Sequence, residues 1–239
     1  MIRTCASLLL AFLVGSSAAQ EKAKPSAADR LAAIQKEQKD AEAKLRKAME
    51  ALPETEEGNK KAGELAAQAL IDKVGKEGKI AVMSYVAGAG SEIGRVGGFT
   101  DYIQMHSNLK IVGPFYSQSQ MATALNQTTD VLAANPDLKG IFGANEPTAI
   151  GMARAIKQAG KSGKIVAVGF DGNQDLQEFV KDGTLTAIVV QGSFQMGDLG
   201  VKTVSKLIDK QKVDKFVDTG AVVVTKANIE QPDAKNVLY

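Results

Sequence analysis

From Asn59 onward the chain alternates short apolar runs with amphipathic stretches, and this alternation limits the possible folds more than any other feature. The runs are "KIAVMSYV", "LKIVGPFY", "KGIFGA", "KIVAVGF", "LTAIVV" and "AVVVT". Helical patterns are interleaved with them over 59–74, 92–106, 118–134, 147–159, 174–181 and 194–208. The runs are continuous and rich in Val and Ile, as expected of parallel strands covered on both faces. Strand–helix–strand repetition at this spacing calls for right-handed crossovers. The predicted fold class for 58–239 is therefore α/β, a doubly wound parallel sheet.

Two segments ahead of this region have a different texture. "MIRTCASLLLAFLVGSSAAQ" reads as a secretory signal peptide: Arg3 supplies the positive start, Leu8 to Val14 the apolar stretch, and Ser17-Ala18-Ala19 a small-residue cleavage site before Gln20. The apolar stretch is too short to span a bilayer, so stable membrane insertion is not expected. The expected location is periplasmic or secreted. A mature chain starting near Gln20 would contain no cysteine, which leaves no disulfide or thiolate chemistry. Residues 20–57 are rich in Ala, Lys, Glu and Gln, with Leu31, Ile34, Leu45 and Met49 roughly on one stripe. They predict a charged helical segment, either solvated or docked on a partner.

In a doubly wound sheet, ligands bind beyond the carboxyl ends of the strands. Just past those ends lie Arg95, Ser117 and Ser119, Asn145 and Glu146, Phe170 and Asp171, and Gln191. Arg donates in a fork, Asp accepts from two hydroxyls, and Asn and Gln do both, a set suited to sugar hydroxyls. Phe170 would cover the apolar face of the sugar ring. Taken singly, each has an ordinary reading: Asp171-Gly172 as a turn, Asn145 or Asn173 as a helix cap, Phe170 as core, Arg95 as a surface helix residue. Their gathering at one sheet edge favours a site.

Other chemistries find less support. "GAGSEIG" follows a strand but reads G-x-G-x-x-x-G, one residue too long for a dinucleotide fingerprint, and no strand-end acid lies about 20 residues on to hold a ribose. His106 is the only histidine and closes a helix, so no metal site is expected and no cofactor is implied. No G-x-S-x-G elbow with a histidine partner is present, and the chain does not read as an enzyme. A net charge of +2 without a Lys/Arg stripe argues against nucleic acid.

The stretches "GIFGANEPTAIGMARAIKQAGKSGKIVAVGFDG" and "GTLTAIVVQGSFQMGDLGV" closely resemble the ribose-binding type of periplasmic sugar-binding protein, which feeds ABC sugar transporters. "GRVGGF" resembles the family's Arg-x-x-Gly-Phe segment, and "NKKAGELAAQAL" the helix that opens its second lobe. The resemblance covers about residues 59–225. It implies a type I periplasmic binding fold in which Arg95, Asn145, Phe170, Asp171 and Gln191 line the sugar cleft from the C-terminal lobe, with an ABC permease as partner. Ribose binders carry a further aromatic near Ser119; this chain has none there, which argues against ribose.

The resemblance also implies two lobes that close on the sugar by a hinge. The space before Asn59 holds only the signal peptide and the charged helix. The expectation is thus a chain that keeps the C-terminal lobe with most of the N-terminal lobe missing. The residues after Gln191 should find little sheet to join, and the exposed lobe face should favour self-association. Halving a roughly micromolar set of contacts, about −8 kcal/mol, leaves about −4 kcal/mol, or millimolar affinity. A non-transport scaffold, interaction or sensory module that retains one lobe of the sugar-binding fold, or a truncated relic, is the alternative.

Overall fold

Each apolar run becomes a strand, and each amphipathic stretch from Asn59 onward a helix, in a computed structural model that describes residues 36, 56–209, 211–214 and 216–239. The expected signal peptide lies outside the described residues, and so does nearly all of the charged segment 20–57. The chain divides into two compact units, Met1–Leu52 and Pro53–Tyr239; the elements below belong to the second. In order they are α1 (Glu56–Val74), β1 (Glu77–Ser84), α2 (Gly90–His106), β2 (Asn108–Tyr116), α3 (Met121–Ala134), β3 (Leu138–Gly143) and α4 (Glu146–Gln158). There follow β4 (Val166–Phe170), α5 (Gln174–Lys181), β5 (Ala187–Gln191), α6 (Ser193–Ile208), β6 (Ala221–Thr225) and the short α7 (Pro232–Lys235).

The strands form one sheet in the order β2-β1-β3-β4-β5-β6. β1 to β5 are parallel, as the continuous Val/Ile runs predict. The sixth strand corrects two expectations. "AVVVT" runs antiparallel to β5, from Ala187 opposite Thr225 to Gln191 opposite Ala221. The chain after Gln191 therefore does find sheet to join. The reason is topological: Ala221 comes back beside Gln191, at the edge the chain left, so the strand can only run back down the sheet.

Side chains alternate between two apolar layers, the consequence of a two-residue repeat with helices on both faces. Ile80, Val82, Phe142, Val168, Phe170 and Val189 face α1 and α2. Ala81, Met83, Ile141, Ala167 and Ile188 face α3, α4 and α5. Phe99 of α2 stacks on Phe142 of β3 with ring centroids 4.4 Å apart, which ties α2 to the sheet. Truncating a ring buried this completely costs about 3–5 kcal/mol.

α1 and α2 approach more closely than side chains normally allow. A Cβ on Gly63 would fall on the Arg95 carbonyl, and one on Gly98 on the Lys60 carbonyl. Both positions therefore need glycine, and the contact locks Asn59 on α1 against Arg95 on α2. Packing of this kind sets side chains to within fractions of an ångström. α6 is the opposite case: Phe194 is 81% and Val201 73% exposed.

Candidate ligand site at the carboxyl edge of the sheet

The strand order turns between β1 and β3, and the polar side chains cluster beyond the carboxyl ends around that point, where such sheets place ligands. β1 ends at Ser84, and the loop to α2 is held by Glu92, a buried carboxylate in the helix's first turn. Glu92 accepts from the Ser84 hydroxyl at 3.0 Å and from the Gly88 N–H at 3.3 Å. One turn later Arg95 also points inward, at 6% exposure. The ordinary reading of Arg95 as a surface helix residue does not hold.

The Arg95 guanidinium carbon lies 3.5 Å from the Phe170 ring centroid and 5.6 Å from that of Tyr85. Desolvated stacking of this type contributes about 2 kcal/mol. Nη1 donates to the Ala144 carbonyl at 2.7 Å; Nη2 donates to Asn59 Oδ1 at 2.9 Å and to Gln191 Oε1 at 3.2 Å. Of the five N–H groups of a guanidinium, these three bonds use three and leave two, Nε–H and one on Nη1. Nε is buried without a hydrogen-bond partner. Burial pulls the guanidinium below its ordinary pKa, against the opposing pull of Tyr85 and Asp171.

Phe170 and Asp171, adjacent in sequence, part company in space. Phe170 is the last residue of β4 and shares its face with Val168, so the strand repeat sends the ring into the core between the sheet and α1–α2. It is fully buried, with Arg95 stacked upon it. This corrects the expectation that the ring lies open to cover a sugar: Phe170 instead supports the guanidinium from beneath. Asp171 adopts φ 76°, a left-handed conformation uncommon outside glycine, which swings its carboxylate to the edge. Its N–H donates to the Val189 carbonyl at 2.9 Å and its Oδ2 accepts from the Glu146 N–H, the first of α4, at 3.1 Å. Burial raises the Asp171 pKa, opposed by Arg95 and by the Glu146 N–H.

Asn145 has both of the roles considered for it within reach. Its Oδ1 caps α4 by accepting from the Thr148 N–H at 3.3 Å, and its Nδ2 donates to the Ser119 hydroxyl at 3.1 Å. Gln118 and Ser119 are both left-handed, with φ 54° and 56°, so this loop too is bent toward the edge. Gln191 ends β5, half-buried, with its carbonyl turned to Arg95. Asn173 caps α5 through the Leu176 N–H, and His106 is exposed with its ring stacked on Tyr102. Arg95, Asn145, Asp171 and Gln191 thus meet at one edge, and Phe170 underlies them.

Arg95 and Asp171 bear on each other electrostatically, yet no hydrogen bond joins them among the described residues. Sequence reasoning missed Tyr85, Asn59, Glu146 as a neighbour of Asp171, and the buried Ser117–Thr148 hydroxyl pair at 2.7 Å. Tyr85 was hidden inside the run "KIAVMSYV"; ending the strand at Ser84 would have exposed it as a strand-end residue. Among the described residues no group of three or more His, Cys, Asp or Glu could hold a metal, and no helix is long and apolar enough to cross a membrane.

A mostly parallel sheet with buried polar groups beyond its carboxyl ends defines an α/β binding lobe. The Periplasmic binding protein domain family matches residues 55–212, and the chain belongs to that family. The chain is 33% identical over 171 residues to the D-allose-binding periplasmic protein of Escherichia coli, covering 69% of this chain and 55% of that one. The crystal structure of an ABC transporter solute binding protein from Agrobacterium vitis with bound D-fucose is 81% identical, with a TM-score of 0.74 over 76% of this chain and 62% of that one. A periplasmic solute binding protein from Actinobacillus succinogenes with bound D-allose is 32% identical, with a TM-score of 0.67 over 71% and 59%. The chain spans about half the length of the curated relatives it matches.

Proposed function

We propose that the chain is a periplasmic solute-binding protein that binds a monosaccharide for an ABC-type importer, and that it works by binding, without catalysis. The observation that carries this reading is the gap between Arg95 and Asp171. A buried guanidinium and a desolvated carboxylate lie at one edge of the sheet with no hydrogen bond or ion pair between them among the described residues. A sugar hydroxyl donates and accepts at once, so it can take an N–H from Arg95 and give its proton to Asp171.

Asn145 and Gln191 flank that pair with amide groups that also both donate and accept. Phe170 acts indirectly by holding the guanidinium flat. Asp171 Oδ2 is already engaged by the Glu146 N–H, which fixes the carboxylate before the ligand arrives. Pre-positioned donors and acceptors lower the ordering cost of binding. The D-fucose bound by the 81% identical Agrobacterium vitis protein supports a hexose or 6-deoxyhexose as ligand. The periplasmic names of the relatives support that location.

The test is calorimetric titration of the purified chain with D-fucose, D-allose, D-arabinose and D-ribose. Saturable heat at millimolar affinity or better, lost in Asp171→Ala, is the expected result. A folded chain that gives no heat with any of the four sugars would overturn the reading.

A further inference from the structure

With Phe170 in the core and Tyr85 only 6% exposed, neither ring beside Arg95 is open to a ligand. A sugar still carries one C–H-rich face and, in a hexose, an exocyclic carbon, and both bind best against an aromatic surface. On the Asp171 side an aromatic residue is exposed: Tyr239, 56% accessible as a residue. Its backbone is pinned to the Asp171 loop, since its N–H donates to the Gly172 carbonyl at 3.2 Å. Gln177 Nε2 clamps the same strand of chain, donating to the Gly172 carbonyl at 2.9 Å and to the Tyr239 carbonyl at 3.2 Å.

The side chain is fixed as well. Tyr239 Oη donates to Glu146 Oε2 at 2.8 Å, and the backbone N–H of the same Glu146 donates to Asp171. Burial and the Glu146 acceptor both raise the phenol pKa, so the hydroxyl remains a donor at any ordinary pH. A residue tethered at both ends beside the Asp171 carboxylate, with much of its surface exposed, can serve as a wall.

We propose that Tyr239 is a specificity-determining residue, the aromatic wall of the site on its Asp171 side, which recognises the exocyclic carbon of a hexose-type sugar. The inference rests on the monosaccharide reading and adds to it a discrimination between hexoses and pentoses. Glu146 serves to hold the ring in place through the phenol.

The test compares D-fucose with L-arabinose, which has the same pyranose ring without the exocyclic methyl group. Calorimetry on the full chain should show D-fucose bound about fourfold more tightly, the worth of one buried carbon group. Tyr239→Phe keeps the ring and should keep the preference. Tyr239→Ala should abolish the preference by weakening D-fucose alone. In the wild-type chain, nuclear Overhauser contacts from the Tyr239 ring protons to the D-fucose methyl group are expected, a readout that needs no variant to fold. A preference that survives Tyr239→Ala, equal weakening of both sugars, or bound D-fucose without that contact overturns the inference and leaves sugar binding intact. If the wild-type chain binds neither these two sugars nor the others, the binding reading falls and the wall falls with it.

Discussion

Asp171 and Asp137 are the same side chain at opposite edges of one sheet, and their environments push them in opposite directions. Asp171, past the end of β4, is desolvated and its pKa is raised. Asp137, just before β3, is exposed, and a hydrogen bond from Lys79 at 2.9 Å holds its pKa below the usual carboxylate range. At this edge lie a buried guanidinium with an unpartnered Nε and three non-glycine residues at positive φ, Gln118, Ser119 and Asp171 itself. Around Asp137 stand ordinary surface ion pairs, Lys79–Asp137 and, at the same edge, Lys157–Asp182. The difference marks the carboxyl edge as the place where polar groups are desolvated and the amino edge as the place where they are solvated. Strained backbone persists only where the surrounding structure forces it, and the non-glycine residues at positive φ lie at the carboxyl edge.

The comparison breaks first at Arg95. Arg95→Ala removes three hydrogen bonds and the stack on Phe170, and it takes from the buried Ala144 carbonyl the guanidinium N–H it accepts. The expected loss of stability is about 3 kcal/mol, read as a lower midpoint in urea unfolding, together with loss of sugar binding. A loss under about 1 kcal/mol would mean that the edge tolerates an empty centre, and the contrast between the edges would weaken.

Asp171→Asn is the finer probe, because asparagine tolerates the left-handed backbone that alanine does not. Removing the charge should weaken sugar binding by roughly ten- to a hundredfold, the worth of a charge-assisted hydrogen bond. Stability at neutral pH should stay level or rise, since the desolvated charge is gone. A variant that loses stability and keeps its affinity would assign Asp171 to the fold and remove it from the site.

How far these roles could be read from sequence follows from what each residue depends on. The strands and helices were legible because Val/Ile runs and helical periodicity are local signals, and the parallel order of β1 to β5 follows from their spacing. The direction of β6 was not legible, because it depends on which edge the chain returns to across 209–220, a property of three-dimensional routing. The grouping of Arg95, Asn145, Asp171 and Gln191 followed from the strand-end rule. The fate of Phe170 did not: a strand's last residue faces core or cleft by one step of register, and the sequence pattern leaves that step open. Tyr239 lay beyond reach altogether, since its place beside Asp171 arises from hydrogen bonds to Gly172, Glu146 and Gln177 that no local pattern announces.

The pH dependence of the two edges should diverge in sign. Asp171 has a folded pKa above its unfolded value, so between the two the folded state holds the extra proton, and stability falls as pH rises through that window. Sugar affinity should move the other way, rising as the carboxylate ionises. Asp137 has a depressed folded pKa, so whatever stability it contributes is present above its ordinary value and is lost as pH falls. Titration calorimetry at stepped pH should show affinity declining on acidification from a point above the ordinary carboxylate value, and Asp171→Asn should flatten that decline. An affinity curve unchanged by Asp171→Asn would assign the pH response to another group.

The smallest expected effect belongs to Lys79→Ala. The pair it breaks is largely solvent-exposed on the Asp137 side, so screening by water and salt leaves it worth little. Thermal unfolding should shift by a degree or two, and the shift should shrink further as salt is added. Sugar affinity should not change, because Lys79 lies near the start of β1, at the edge of the sheet opposite Asp171. The weakness of this effect is what gives the contrast its meaning. If one charge removed from the amino edge lowered sugar affinity as much as Asp171→Asn does, the parallel sheet would be transmitting strain along β1 to the loop that carries Tyr85 and Arg95, and the site would extend through the whole layer.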